Sequence, residues 1–303
     1  MIKNPEESQG KLWIATVTLQ TVNDKYSDSD PQKNAARNRD RMVALLRIVA
    51  KLSSDSKDNG VILFPGGWFH NGEEPAELLF PYIEKKIRKS LTKISSHIVV
   101  SLGVDGSIDE YGYDVDQLAI AVDKTGLIAI SRKFQVLTKR ERERVRLSPD
   151  YLQGELGKPR IFSLNGIRFY PAICYDTYGP QQKKLKNPGI DVIISHVHYF
   201  VPLNEKGPKG VVDFVRKGFA GSSAQWGVPI FGAGIFIRRP IPESWRTGMY
   251  YRSFPKPYLK CTIDENSLKP DLEFEDTPLK EGKVVVLKYY LSDVIVCKDS
   301  KTH

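Results

Sequence analysis

The chain of 303 residues has little cysteine, three in all, and that scarcity excludes a disulfide framework. A chain of this length buries enough apolar surface to need neither disulfide nor metal as a staple, so a reducing, cytoplasmic setting is expected. Long apolar runs are missing too. Nowhere do about 18 apolar residues follow one another, so no membrane span and no membrane partner is expected. Met1 to Lys11 is polar and lacks the apolar stretch of a secretory signal. No internal repeat and no low-complexity linker divides the chain. It reads as one domain over 1–303, with its core at about 11–297. What is present in excess is positive charge: 45 Lys and Arg against 36 Asp and Glu, a net +9. Such a surplus suits an anionic ligand, nucleic acid, or only a well-solvated surface.

Apolar β-branched runs alternate with amphipathic stretches. Leu12 to Leu19 reads as a buried strand. Asp30 to Leu52 reads as a helix, with Pro31 near its start and Met42, Leu45, Leu46 and Val49 on one face. Val61 to Phe64 is a strand closed by Pro65-Gly66-Gly67, and Pro75 to Ile94 a helix with Leu78, Leu79, Tyr82 and Ile83 on one face. Ile98 to Leu102 is a third strand. Hairpins are expected at Asp123 to Gly126 and at Asn165-Gly166. A short helix over 180–187, a strand from Ile190 to Ser195, a helix from Val211 to Trp226 and a strand from Pro229 to Phe231 follow. The last strands are expected at Val284 to Tyr290 and Val294 to Cys297. The tract 238–257, rich in proline and aromatics, reads as a surface excursion. Strands and helices mixed in this way, with hairpins among them, make a layered α/β fold.

Three strand ends carry residues suited to chemistry. Cys174 ends an apolar strand in Ala172-Ile173-Cys174-Tyr175-Asp176. A thiol at a strand tip can act as nucleophile, with the backbone N–H groups beyond it binding an oxyanion. A small buried core cysteine fits the same pattern. Lys133, in Ser131-Arg132-Lys133-Phe134, also follows a strand. Beside a thiol it would lower the thiol pKa, and elsewhere it is a solvated loop lysine. Phe64-Pro65-Gly66-Gly67 permits a close backbone approach at a third strand end. Ligands of α/β folds favour such sheet edges.

These motifs resemble the nitrilase, or carbon–nitrogen hydrolase, superfamily. VILFPG resembles its glutamate motif, ISRK its lysine motif and AICYD its cysteine motif. The order of the elements between them is similar over most of residues 11–297. The resemblance implies a four-layer αββα sandwich and a Glu-Lys-Cys triad that hydrolyses non-peptide amides or nitriles. It implies no cofactor and no metal, and a homodimer or larger homo-oligomer. Cys174 is then the nucleophile, Lys133 and the Tyr175 N–H hold the developing negative charge, and Asp176 is structural. Glu141 resembles an additional glutamate that positions substrate and lysine, although it stands in the alternating charged stretch 139–144.

One departure changes the reading. The triad glutamate falls at Gly66, and glycine accepts no proton. General-base catalysis supplies about 10²–10⁴-fold, and groups acting as a unit fail together. Glu73 or Glu74 has two readings, an acid delivered to the site by a refolded loop and an acid of a helix first turn. His196 and His198 stand two apart, a spacing that suits a metal, but no convincing third ligand accompanies them. A Cys174–His196 dyad is conceivable, while the resemblance makes His196 a pocket-lining residue. The stretch Arg132 to Arg146 holds seven basic and two acidic residues. Without interleaved aromatics it argues for a loop or partner contact rather than nucleic acid. Two functions remain: a thiol-dependent, atypical or impaired amide or nitrile hydrolase, and a catalytically silent binding or assembly protein of the same fold.

Overall fold

The computed structural model describes residues 12–21, 30–54, 57–107, 115–136, 139–200, 214–238, 250–251, 262–263, 272–279 and 282–292. The excursion expected over 238–257 lies outside them except for Arg238 and Tyr250–Tyr251. The strand expected at 294–297, Cys261 and Cys297 lie outside them too.

Strand β1 (Leu12–Thr21) organises the architecture. It pairs in parallel with β2 (Asn59–Leu63) along Leu12 to Thr16, then changes partner to β10 (Ile230–Ile237) along Thr18 to Thr21. On its other edge β14 (Gly282–Ser292) runs antiparallel, from Leu12 opposite Leu291 to Thr21 opposite Gly282. From β2 one half-sheet continues through β4 (Ile98–Gly106), β5 (Asp116–Asp123) and β6 (Gly126–Arg132). From β10 the other continues through β9 (Val192–Phe200), β8 (Ile167–Ile173) and β7 (Phe162–Leu164).

Side-chain alternation sorts the layers. Leu12 and Ile14 enter a core shared by both half-sheets, with Leu63, Val99 and Ala121 from one and Phe162, Phe169 and Ile194 from the other. Trp13, Ala15, Val17 and Leu19 face the opposite way, into a core beneath α1 (Pro31–Ser54) and α2 (Phe80–Leu91). With both faces covered, the strands read as continuous apolar runs. The second half-sheet is covered by the helix Ala220–Trp226, whose Trp226 meets Tyr170 edge-on at 5.1 Å. The result is the mixed α/β, layered αββα arrangement expected from the sequence.

Most turns formed as their residues dictate. Asp123 Oδ1 accepts from the Thr125 N–H at 2.7 Å and the Gly126 N–H at 3.2 Å. Asn165 and Gly166 have φ of 52° and 77°, the paired positive values of a tight two-residue hairpin. The second helix differs from its sequence reading. A 3₁₀ turn spans Ala76–Leu79, and α2 starts only at Phe80, because Pro81 suits a first helical turn but not a helix interior. Its buried stripe is Phe80, Ile83, Ile87 and Leu91. Leu78 and Tyr82, expected on the core face, are 61% and 37% exposed. The helix expected over 180–187 is a single turn, Gly179–Gln182, ended by Lys184 at a left-handed φ of 50°. Among the described residues no helix is long and apolar enough to cross a membrane.

Candidate active site

Cys174 leaves β8 through an abrupt change of backbone. Ile173 is extended, Cys174 has φ +51°, and a 3₁₀ turn runs over Cys174–Tyr178. A left-handed conformation costs a non-glycine residue about 1–2 kcal/mol and persists only where the surroundings impose it. Here Asp176 imposes it. Its Oδ2 accepts from the Ile173 N–H at 3.2 Å and from Arg160 at 2.9 Å. Its Oδ1 accepts from the N–H groups of Phe134 and Gln135, both at 2.8 Å. One buried carboxylate thus fastens the cysteine turn to the segment that follows Lys133. Burial pushes the Asp176 pKa up, against Arg160 and the N–H donors. Cys174 itself remains partly exposed.

Lys133 is 1% exposed. Its ammonium donates to Gln117 Oε1 at 2.8 Å and to Glu141 Oε1 at 2.5 Å, and lies 5.9 Å from the centroid of the Tyr175 ring. Burial alone would lower its pKa, but the charges of Cys174 and Glu141 more than reverse that and raise it. The lysine is therefore a fixed cation beside the thiol. Glu141 comes from α3 (Lys139–Arg144) and turns inward, out of the charged stretch. Tyr175 stacks on Tyr178 at 5.5 Å and meets Phe214 at 5.9 Å. Its phenol is pushed up to about 12, by burial first and then by the charges of Cys174 and Glu141, so it keeps its proton.

The space beside Gly66 is filled. A Cβ at Gly66 would stand 2.7 Å from His198 Nδ1, 2.9 Å from His198 Cε1 and 2.8 Å from the His196 carbonyl oxygen. The His198 ring occupies the place where a side chain at 66 would begin. A bulge puts it there. His196 pairs with Ala233 and Tyr199 with Ile235, so β9 carries one residue more than β10 between those points. Bulges of this kind re-aim side chains, and the Gly66 N–H anchors this one by donating to the Val197 carbonyl at 3.1 Å.

His198 Nε2 is held by Asp105, at 3.2 Å from Oδ1 and 3.1 Å from Oδ2. Asp105 lies on β4 and is fully buried. His198 and Cys174 lie near enough to shift one another's protonation. Burial would lower the histidine pKa, but the charge and hydrogen bond of Asp105, with Cys174, push it up to about 9. Burial would raise the Cys174 pKa, and the His198 hydrogen bond and the Lys133 charge outweigh it, so the thiol pKa falls.

His196 is placed differently. It is fully buried, with Nδ1 2.8 Å from the Phe64 carbonyl and Nε2 3.0 Å from Ser101 Oγ. The carbonyl can only accept, so Nδ1 carries the proton and the Ser101 hydroxyl donates to Nε2. Burial lowers its pKa to about 4, which keeps the ring neutral. It anchors the end of β2. The structure thus brings Cys174, Lys133, Glu141 and Tyr175 together, and adds His198 and Asp105.

Glu73 and Glu74 are exposed, on a turn closed by Asn71 donating to the Pro75 carbonyl at 2.6 Å. In the basic stretch Arg132 is buried against Asp116 and Glu155, and Lys139 pairs with Glu143 at 3.8 Å on the surface. Among the described residues no group of three or more His, Cys, Asp and Glu is arranged to hold a metal ion.

No protein-family model and no curated protein matches the chain. Solved structures do. A crystal structure of an amidase from Nesterenkonia sp. superposes with a TM-score of 0.50 at 12% identity, covering 97% of this chain and 94% of that one. A double mutant of the amidase from Nesterenkonia sp. AN1 in complex with acrylamide superposes with a TM-score of 0.50 at 11% identity, covering 96% and 94%. A further mutant of that amidase, described as from the nitrilase superfamily, gives 0.45 at 11% identity over 76% of this chain and 78% of that one. At such identities the likeness is one of fold.

Proposed function

We propose that the chain is a thiol-dependent carbon–nitrogen hydrolase acting on a small non-peptide amide or nitrile. The observation that carries this reading is the Cys174 turn. Cys174, a partly exposed residue, is held at a left-handed strand end, its thiol pKa lowered, beside a buried lysine that Glu141 and Gln117 hold in one place. Ordinary core cysteines have none of these features. In this reading Cys174 attacks the carbonyl or nitrile carbon. Lys133 and the Tyr175 backbone N–H stabilise the negative charge that develops, an effect worth about 2.7–4 kcal/mol per donor in enzymes of this logic. Glu141 positions the lysine. The acyl group passes to Cys174 as a thioester, and water releases it. The acrylamide complex of the structural neighbour supports small amides as the first substrates to try.

The test is ammonia release from a panel of small aliphatic and aromatic amides and nitriles, with intact-mass detection of an acyl adduct on Cys174. Cys174→Ala should abolish both. A wild-type chain that releases no ammonia and forms no adduct across the panel would refute the hydrolase and leave a binding or assembly role.

A further inference from the structure

We infer that Asp105 and His198 form the proton-handling pair that activates Cys174, with His198 as a catalytic residue and Asp105 positioning it. This rests on the reading of Cys174 as a nucleophile. It concerns a role that the sequence motifs leave vacant at Gly66.

Three geometric observations carry it. The ring stands in the volume that a side chain at 66 would need, with Nδ1 2.7 Å from the Cβ position. One nitrogen, Nε2, is committed to a fully buried carboxylate at 3.1–3.2 Å, which fixes the ring orientation, and the thiol and the ring are near enough to act on one another's protonation. The bulge in β9 has no other evident purpose than to deliver this residue, since His196 before it anchors Phe64 and Tyr199 after it is 44% exposed. Thiol, imidazole and carboxylate in this order are the general arrangement of an activated nucleophile, a base, and a group that orients the base.

The steps balance. The Cys174 proton passes to the His198 ring, and the thiolate forms a C–S bond to the substrate carbonyl carbon. The oxyanion rests against Lys133 and the Tyr175 N–H. As it collapses the C–N bond breaks, and the proton on His198 goes to the leaving amine. Water then attacks the thioester and gives a proton to His198. The C–S bond breaks, a carboxylic acid leaves, and the proton returns to sulfur. Hydrolysis needs no further reactant.

The groups that act on the His198 ring come from several elements: Asp105 on β4, Cys174 at the end of β8, His196 on β9, and His70 on β3 (Phe69–His70). Of these, Asp105 supplies the dominant favourable charge. Lys133, held by Glu141, acts on the thiol as well.

The experiment measures iodoacetamide alkylation of Cys174 in the full chain against pH, following the Cys174 peptide by mass spectrometry so that the other cysteines do not interfere. An ordinary thiol titrates near 8.5 and is less than about 1% thiolate at pH 6. The expected result is fast alkylation of wild type at pH 6, slowed roughly tenfold or more in His198→Gln, whose profile rises only toward the ordinary thiol range. Asp105→Asn should shift the profile in the same direction. A His198→Gln profile that coincides with wild type would overturn the pair, and an unshifted Asp105→Asn would overturn the positioning role. Amide turnover separates this from the proposed function. Turnover lost in Cys174→Ala but kept in His198→Gln overturns the base and leaves the hydrolase standing. A shifted alkylation profile without turnover on any amide supports thiol activation and refutes the hydrolase.

Discussion

Restoring the acid that the motif lacks should damage this protein. In Gly66→Glu the new Cβ would lie 2.7 Å from His198 Nδ1 and 2.8 Å from the His196 carbonyl oxygen, both inside van der Waals contact. Gly66 itself does not have a positive φ, so the obstacle is space and not backbone conformation. The His196 oxygen is main chain within β9 and cannot swing aside, and His198 is held by Asp105. Overpacking a tight interior costs about 1–3 kcal/mol, and Gly66→Ala already incurs it. Gly66→Glu adds a carboxylate near Asp105 and should cost more. Urea denaturation should therefore show Gly66→Ala less stable than wild type by about 1–3 kcal/mol, with Gly66→Glu below it. Alkylation of Cys174 at pH 6 should slow in both, because the ring is displaced. Removing the ring should then relieve the conflict: Gly66→Glu with His198→Ala should be more stable than the sum of the single changes by about 1 kcal/mol or more. Additive energies, or a Gly66→Ala chain as stable and as reactive as wild type, would refute the claim that His198 holds the place of the missing side chain.

Lys133→Met should slow amide turnover by about 10²-fold or more, and Lys133→Arg should not restore it, because a planar guanidinium does not replace a point cation held between Gln117 and Glu141; steady-state kinetics on any accepted amide checks both. Ile83→Ala in α2 should cost about 2–5 kcal/mol while Leu78→Ala in the preceding 3₁₀ turn stays within about 0.5 kcal/mol, since Ile83 is fully buried and Leu78 is 61% exposed; chemical denaturation decides. Asp123 has its pKa lowered, since hydrogen bonds from Thr125 and His97 overcome the upward push of burial. Its stabilisation is therefore full above the unfolded value of 3.8 and is lost as pH falls through the depressed one. Asp123→Asn should cost about 1–2 kcal/mol at pH 6, and the gap to wild type should close below pH 3.8 in acid-unfolding curves.

The strands, the first helix and the hairpins were legible because each rests on local rules: β-branched runs, a spaced apolar stripe, Asn165-Gly166. The face of α2 was misread because Leu78, Leu79, Tyr82 and Ile83 make a plausible stripe until Pro81 is allowed to restart the helix. At the site, Cys174, Lys133 and Glu141 were legible through motif order. His198 was not, although the pair His196 and His198 was visible. Strand alternation puts both on one face and cannot tell which meets the thiol. The bulge that separates them depends on pairing with β10, a contact between residues some forty apart in sequence. Asp105 carried no signal at all. It is one acid at the end of an apolar strand, and its meaning appears only once the ends of β4 and β9 meet from the two half-sheets.

A proton acceptor has to occupy a position in space, not a position in the chain. The family motif would supply it from the loop after β2. In the arrangement proposed here that loop contributes a glycine, and the acceptor comes from β9, in the other half-sheet, with its orienting acid from β4. The exchange is possible because the ends of β2, β4, β8 and β9 converge at one edge, so that any of them can reach the sulfur. It also changes the chemistry. A carboxylate near its ordinary pKa of about 4 is a weak base at neutral pH, whereas an imidazole paired with an acid sits closer to the working range and holds the thiol as a thiolate before substrate arrives. In the proposed arrangement Gly66 leaves the room that His198 fills.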